Sequence, residues 1–266
     1  MKITCLLENT ASSPASGAHI GAEHGLSLYI ETANRRILFD MGQTSLFAHN
    51  AEALGINLAA VDLAVLSHGH YDHGGGLATF LEINQTAPVY VTDTAFLPHY
   101  NGTQKYIGLD TSLRGHPRLR AVSGDLSLGG GLTLLSLNGR ERNHSLGSFG
   151  LTEQVGDTFI PDDFRHEQYL LIEEPLSEGG KRVLFSGCSH AGILDIVEWF
   201  SPDVLIGGFR VSKMALGEEL AALGDALASR HTHYYTCHCT GEAQFAFLRG
   251  KMPTLTYLAG GETICL

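Results

Sequence analysis

Basic residues are scarce in this chain. The 266 residues carry 17 Lys and Arg against 28 Asp and Glu, a net charge of −11. That balance argues against a nucleic-acid partner, because phosphate binding needs a basic face. It argues equally against a polybasic membrane contact. Bound divalent cations can still make one local mouth positive while the remaining surface stays acidic. Long apolar runs are missing as well. None approaches the ~20 residues that span a bilayer, and the N-terminal run turns polar at Glu8, too short for a signal peptide. Cysteine is sparse and odd in number: Cys5, Cys188, Cys237, Cys239 and Cys265. Without a Cys-x-x-Cys pair they form neither a disulfide framework nor a zinc knuckle, which fits a reducing cytosol. No serine-nucleophile motif and no phosphate loop is present, so covalent catalysis has no foothold. The expectation is a cytoplasmic protein with a small-molecule substrate, no nucleic acid and no membrane; a homo-oligomer is compatible with it. With 44% hydrophobic content the chain can bury a full core.

What the chain does have is Leu66-Ser-His-Gly-His-Tyr-Asp-His-Gly-Gly-Gly76. This stretch places His68, His70, Asp72 and His73 within six residues, directly after an apolar run from Val61 to Leu66 that reads as a buried strand. In extended backbone, residues two apart point the same way, so His68 and His70 can converge on one ion. Asp72 and His73, where the chain turns, can face a neighbouring position. Imidazole and carboxylate donors suit zinc, and also manganese or iron. The glycines that follow let the backbone pass close by before a helix begins.

Elsewhere, apolar runs predict strands at 3–7, 26–32, 36–39, 88–91, 132–137, 169–172, 183–185, 204–206, 233–236 and 255–258. Helical stripes follow at 45–54, after the histidine loop (Leu77, Phe80, Leu81), at 193–200 and beyond 241. Another is marked by Leu216, Leu220, Leu223 and Leu227. The Ser/Ala/Pro/Gly stretch from Thr10 to Ala18 reads as a mobile loop, and Ser177 to Gly180 as a turn. Residues 95–125 are the least periodic and read as an insertion or lid within a single 1–266 domain; a plain surface excursion is the alternative. Strand, polar loop and helix recur at 61–81, 183–200 and 233–248, each loop carrying histidine. Such alternation puts ligand sites at strand C-termini, while the hairpins make the sheets mixed.

The histidine stretch resembles the signature loop of the metallo-β-lactamase-fold hydrolases. Glu23-His-Gly-Leu-Ser27, Phe39-Asp-Met-Gly42, Gly187-Cys-Ser-His-Ala-Gly192, Gly207-Gly-Phe209 and His238-Cys-Thr-Gly241 together resemble one branch. That branch includes the 7,8-dihydropterin-6-methyl-4-(β-D-ribofuranosyl)-aminobenzene-5′-phosphate synthases. The resemblance implies an α/β fold, a four-layer αββα sandwich of two mixed sheets, with two metal ions, zinc first among them, at one edge. By motif, His68 and His70 would bind the first ion and Asp72 and His73 the second, completed by His190 and His238. The alternative for His190 and His238 is a buttressing or core role. His144, after a mid-chain strand, competes with His190. Cys188 aligns with a bridging aspartate of relatives and is either a thiolate ligand or a buried packing residue. Cys237 and Cys239 flank His238 and should point away from it if that segment is extended. Asp40 is placed to hold a ligand imidazole or simply to end a strand. Arg210 stands where the branch has histidine, as an anion clamp or a solvated side chain. Asp162, Asp163, His166 and Glu167 resemble a block near the branch's substrate, although a polar loop is the simpler reading.

The implied chemistry is metal-assisted hydrolysis of an ester, lactone or phosphoester of a small anionic metabolite. Two ions ~3.5–4 Å apart would make hydroxide from water near neutral pH, with Asp72 orienting it. The rivals are a synthase-like transferase condensing an aminobenzoate with a phosphoribosyl donor, an iron redox enzyme, and a sensing module with an intact site and little turnover.

Overall fold

A computed structural model describes residues 1–13, 17, 19–173 and 180–266. Residues 14–16 and 18 of the expected loop at 10–18, and 177–179 of the expected turn at 177–180, lie outside the described residues. The fold is mixed α/β, and the chain divides into two compact units. The first comprises Met1–Ser123, Gly150–Asp162 and Ala259–Leu266; the second comprises Gly124–Phe149 and Asp163–Leu258.

Each unit holds a seven-stranded sheet, and the two are built to the same plan. The first runs Thr263–Cys265, Lys2–Leu7, Ser27–Glu31, Arg36–Phe39, Leu63–Val65, Val89–Thr92, Leu119–Val122. The second runs Leu126–Gly129, Leu132–Leu135, Tyr169–Glu173, Arg182–Phe185, Val204–Gly207, His233–Thr236, Thr256–Tyr257. In both orders the first three pairings are antiparallel and the last three parallel. Antiparallel neighbours can be joined by hairpins, whereas parallel neighbours need a crossover, which α-helices supply in every case but that from Val89–Thr92 to Leu119–Val122. The helices' apolar stripes sink into one core per unit. In the first, Phe47, Ala51, Leu77, Phe80 and Leu81 meet Leu38, Ala64 and Leu66. In the second, Ile193, Ile196, Val197, Phe200, Leu220 and Leu227 meet Leu184, Leu205 and Tyr234. Leu216, expected on the same stripe as Leu220, precedes the helix Glu218–Ala228 and is exposed.

The segment read as an insertion or lid is built structure. His99–Asn101 and Lys105–Tyr106 join Leu151–Val155 and Thr158–Pro161 in a four-stranded antiparallel sheet of the first unit. This segment docks on the histidine loop: Tyr71 N donates to Ile107 O at 2.9 Å. A Cβ at Gly69 would collide with the carbonyl of Ala95.

The loop itself is tied down from several sides. Met41 N donates to His73 O at 2.7 Å, Leu26 N to Asp72 O at 3.3 Å, and Gly76 N to Gly42 O at 3.2 Å. Such close backbone approach leaves no room for side chains. A Cβ at Gly76 would overlap the carbonyl of Met41 and lie 2.6 Å from the Phe47 ring. Gly76→Ala is therefore expected to cost roughly 1–3 kcal/mol of stability by overpacking, read as a lower urea midpoint; an unchanged midpoint would mean that the strand-end loops yield freely.

Candidate metal centre

The site in the first unit starts at two neighbouring strand ends. Phe39 leads to Asp40, a non-glycine residue at φ +60°, a left-handed conformation that Asp tolerates better than most. Leu63–Val65 leads to Ser67 and His68. The turn at Asp40 aims its carboxylate across the strand ends, where one oxygen accepts the Ser67 N–H at 2.7 Å. The other accepts the Ser67 hydroxyl at 2.7 Å and lies 2.7 Å from His73 Nδ1. Ser67 Oγ in turn lies 2.8 Å from His68 Nδ1. Because the hydroxyl proton is committed to Asp40, Oγ accepts from His68. Both histidines then carry their proton on Nδ1 and present Nε2 as a lone-pair donor. Asp40, His73 and Ser67 are fully buried.

Around this relay the rings crowd together. The centroids of His68 and His70 are 4.6 Å apart, and those of His68 and His73 are 4.1 Å apart. One ligand-capable atom each from His68, Asp72 and His73 falls within 4.8 Å of the others. Asp72 Oδ2 lies 3.2 Å from Nε2 of His24, which is more than half exposed, and 3.9 Å from His73 Nε2. His70 lies at the start of the short helix Tyr71–Gly74, with its ring edge 5.6 Å, centroid to centroid, from His99. These donors, neutral imidazoles and a carboxylate oriented by buried partners, fit a borderline divalent ion.

The second unit gathers Cys188, His190 and His238 at its own parallel strand ends. Cys188 Sγ lies within 4.8 Å of a ligand-capable nitrogen of each histidine. His190 is buried, and its backbone is pinned: His190 N and Ala191 N donate to the two oxygens of Glu167 at 2.7 and 2.9 Å. Tyr169 Oη also donates to Glu167, at 2.6 Å. Burial pushes the Glu167 carboxyl up, against the pull of Tyr169, the two N–H groups and the Arg210 charge. Burial, then the Glu167 charge, holds the Tyr169 phenol far above its usual range, so it stays a donor. His144 sits differently. Its Nε2 lies 3.3 Å from Glu198 and its side chain is 40% exposed, while its backbone N–H bonds Asp195. Arg210 is half-buried, at φ +59°, and its guanidinium lies over the Phe149 and Phe164 rings, 5.7 and 5.4 Å from their centroids. One Nη donates to Ser148 O at 3.1 Å. Phe164 stacks on His190 at 4.5 Å.

Several expectations need correction. The segment around His238 is not extended: His238–Thr240 form a 3-10 turn with His238 at φ +49°. Alternation therefore does not decide where its cysteines point, and Cys239 Sγ donates to Cys188 O at 3.4 Å. The block at 162–167 is a loop that is only partly at the surface: Asp163 is exposed, whereas Asp162, His166 and Glu167 are buried. Ser67, His24, His99 and Asp195 escaped notice. Ser67 and His24 belong to the motifs Leu66–Gly76 and Glu23–Ser27, whereas His99 and Asp195 carry no local signal.

A model of the metallo-beta-lactamase superfamily matches residues 20–168, more than half of the chain. The chain belongs to the metallo-beta-lactamase superfamily. Within it, Tm1679, whose crystal structure is described as that of a metal-dependent hydrolase of the β-lactamase superfamily, is similar over 100% of this chain and 99% of its own. The TM-score is 0.80 at 25% identity. The fold protein YhfI from Bacillus subtilis shares the architecture at TM-score 0.60 and 13% identity, over 99% and 98% of the two chains. A 7,8-dihydropterin-6-methyl-4-(beta-D-ribofuranosyl)-aminobenzene-5'-phosphate synthase of Methanocaldococcus jannaschii is 27% identical over 91% of this chain and 90% of its own. An uncharacterized protein of the same organism is 28% identical over 90% of each. Members of this superfamily are generally enzymes that bind metal ions, and the His/Asp clusters are suited to that. Among the described residues no helix is long and apolar enough to cross a membrane.

Two isosteric substitutions test the polar framework. Asp40→Asn places an amide N–H against His73 Nδ1 and should move that ring's proton to Nε2, visible in long-range 1H–15N spectra of the metal-free protein. Zinc affinity should fall roughly 10–100-fold, as when other partners of ligand imidazoles are lost. In Glu167→Gln either orientation of the amide leaves His190 N–H or Ala191 N–H facing a donor. A stability loss of about 1–3 kcal/mol should follow, measured by urea unfolding.

Proposed function

We propose that the chain is a metal-dependent hydrolase acting on an ester, lactone or phosphoester of a small anionic metabolite. The observation that carries this reading is the Asp40–Ser67 relay, which holds His68 and His73 in the one tautomer that offers Nε2, beside the Asp72 carboxylate. A buried polar group costs free energy unless it is satisfied; a cluster this polar is economical as a cation site. Two divalent ions are proposed, zinc first, with manganese or iron as the alternatives. Within the first unit His68, His70, Asp72 and His73 would supply the donors, and within the second His190 and His238 would. His190 is preferred over His144, whose ring is spent on Glu198 at the surface. Cys188, within reach of both histidines of its unit, is a further donor that tolerates zinc.

When bound, such ions lower the pKa of water to about 7 and polarise the scissile carbonyl or phosphoryl group. The chain's own residues supply the rest. Asp72 orients the attacking water and takes its proton on Oδ2. His24 Nε2, 3.2 Å away and open to solvent, is placed to carry that proton off. Asp40 fixes the tautomer and orientation of His73. Arg210, its guanidinium over two rings, has an Nε with no hydrogen-bond partner; this supports an anionic group on the substrate.

The synthase-like transferase is the second reading, favoured by the relative that spans 91% of the chain. Supplying an aminobenzoate and a phosphoribosyl donor, and following carbon dioxide release, would separate it from hydrolysis. For the main reading, purified protein should contain stoichiometric divalent metal and turn over at least one ester, lactone or phosphodiester. Chelation should stop that turnover, and zinc should restore it. His68→Ala and Asp72→Asn should each reduce it at least 100-fold while circular dichroism stays unchanged. Full turnover in either variant, or none on any substrate with metal present, would sink the hydrolase.

A further inference from the structure

The first unit contains a second buried imidazole–carboxylate pair that the proposed mechanism leaves unused. His99 Nδ1 lies 2.8 Å from Asp162 Oδ2, and both side chains are completely buried. The two residues are 63 apart in sequence. The small four-stranded sheet brings them together, with His99 opening one strand and Asp162 following another, Thr158–Pro161. A buried carboxylate paired with a histidine is costly to keep unless it does something.

What it faces is His70. The two rings meet edge-on at 5.6 Å with an interplanar angle of 83°, and one ring nitrogen of each lies within 4.8 Å of the other, with no hydrogen bond closed at Nε2 of either ring. Ligand-capable atoms of His70, His99 and Asp162 all fall within 4.8 Å of one another. The chemistry matches the relay at the neighbouring histidine. There, Asp40 holds the Ser67 proton and Ser67 Oγ accepts from His68. Here, Asp162 accepts the His99 Nδ1 proton, so His99 Nε2 is the ring's acceptor. An acceptor beside His70 favours a proton on the near nitrogen of that ring and a lone pair on the far one.

We propose that His99 and Asp162 do for His70 what Ser67 and Asp40 do for His68: His99 is a positioning residue that sets the tautomer and plane of His70 as a metal ligand. The segment at 95–107 is then a support for the centre and not a lid over it. Tyr71 N–H is bonded to Ile107 O, and Gly69 packs against Ala95 O, so the support grips the loop on both sides of His70. The inference rests on the reading of His70 as a ligand.

The test uses the full chain with His99→Asn, which keeps a donor for Asp162 but removes the acceptor edge, and Asp162→Asn, which keeps volume but opposes the His99 Nδ1 proton. Three readouts apply: the His70 tautomer in long-range 1H–15N spectra of metal-free protein, zinc affinity by competition with a chromophoric chelator, and Tm of the metal-free form. Wild type should show one His70 tautomer. Both variants should show a mixture, with zinc affinity reduced roughly 10–100-fold and metal-free Tm little changed. An unaltered tautomer with affinity within threefold of wild type overturns the proposal. So does a loss of affinity matched by a collapse of metal-free Tm in both variants, which marks a structural role. A wild-type chain that takes up no divalent ion would instead overturn the metal-dependent hydrolase itself.

Discussion

The first unit's site depends on one carboxylate. Asp40 is buried, sits in a left-handed conformation at a strand end, and accepts three hydrogen bonds from two residues of the next strand-end loop. Any other side chain there would leave the Ser67 N–H and hydroxyl or the His73 ring without a partner in a water-free place, at about 1–3 kcal/mol for each neutral donor. The bonds do two jobs at once. They stitch the ends of Arg36–Phe39 and Leu63–Val65 together, and they choose which nitrogen of His68 and His73 carries a proton. The same bonds thus serve the fold and orient the two rings, leaving Nε2 of each turned away from the relay.

The shared plan of the two sheets explains why such a place exists. In each unit three antiparallel pairings are followed by three parallel ones, and the parallel strands all deliver their C-terminal ends to one edge. Loops leaving a parallel strand must turn at once to begin a crossover, so their first residues are held rigidly while their side chains project past the sheet. Asp40, Ser67 and His68 occupy these positions in the first unit, and Cys188, His190, Arg210 and His238 occupy them in the second. Non-glycine residues at positive φ gather in the same loops: Asp40, Ser189, Arg210 and His238. Each costs on the order of 1–3 kcal/mol, and such strain persists only where neighbouring bonds over-determine the turn.

This edge was the legible part of the sequence. Apolar runs ending in Asp40, in Ser67-His68, in Ser186-Gly187 and in Cys237-His238 announce strand, turn and function together, because the period of the strand and the polar residues that end it are adjacent in the chain. Very short exposed strands were not legible. Lys105–Tyr106, Leu126–Gly129 and Thr158–Pro161 are two to four residues long and largely exposed, too short for a periodic pattern to stand out. Thr263–Cys265 pairs with Lys2–Leu7 from the other end of the chain, and no local pattern can report such a partner. The same limit hid His99 and Asp162. A histidine in an aperiodic segment and an aspartate 63 residues later become a pair only when the sheet closes. Glu167 was hidden differently: it looked solvated because its neighbours are polar, yet its charge is absorbed by two backbone N–H groups and a phenol.

The loops at the strand ends also differ in how their side chains are held. The relay residues are fixed by bonds on every side. Arg210, by contrast, stands in a loop whose backbone is anchored independently of its side chain, by Phe209 N to Thr240 Oγ1 and Arg210 N to Cys239 Sγ. The turn survives a change of side chain there, and what the side chain does is open to selection. A flat guanidinium held over two aromatic rings loses little entropy on meeting an anion, because its rotamer freedom is already spent. The side chain of Arg210 is therefore held apart from its turn, whereas Asp40, His68 and His73 are each held by a side-chain bond to a buried partner.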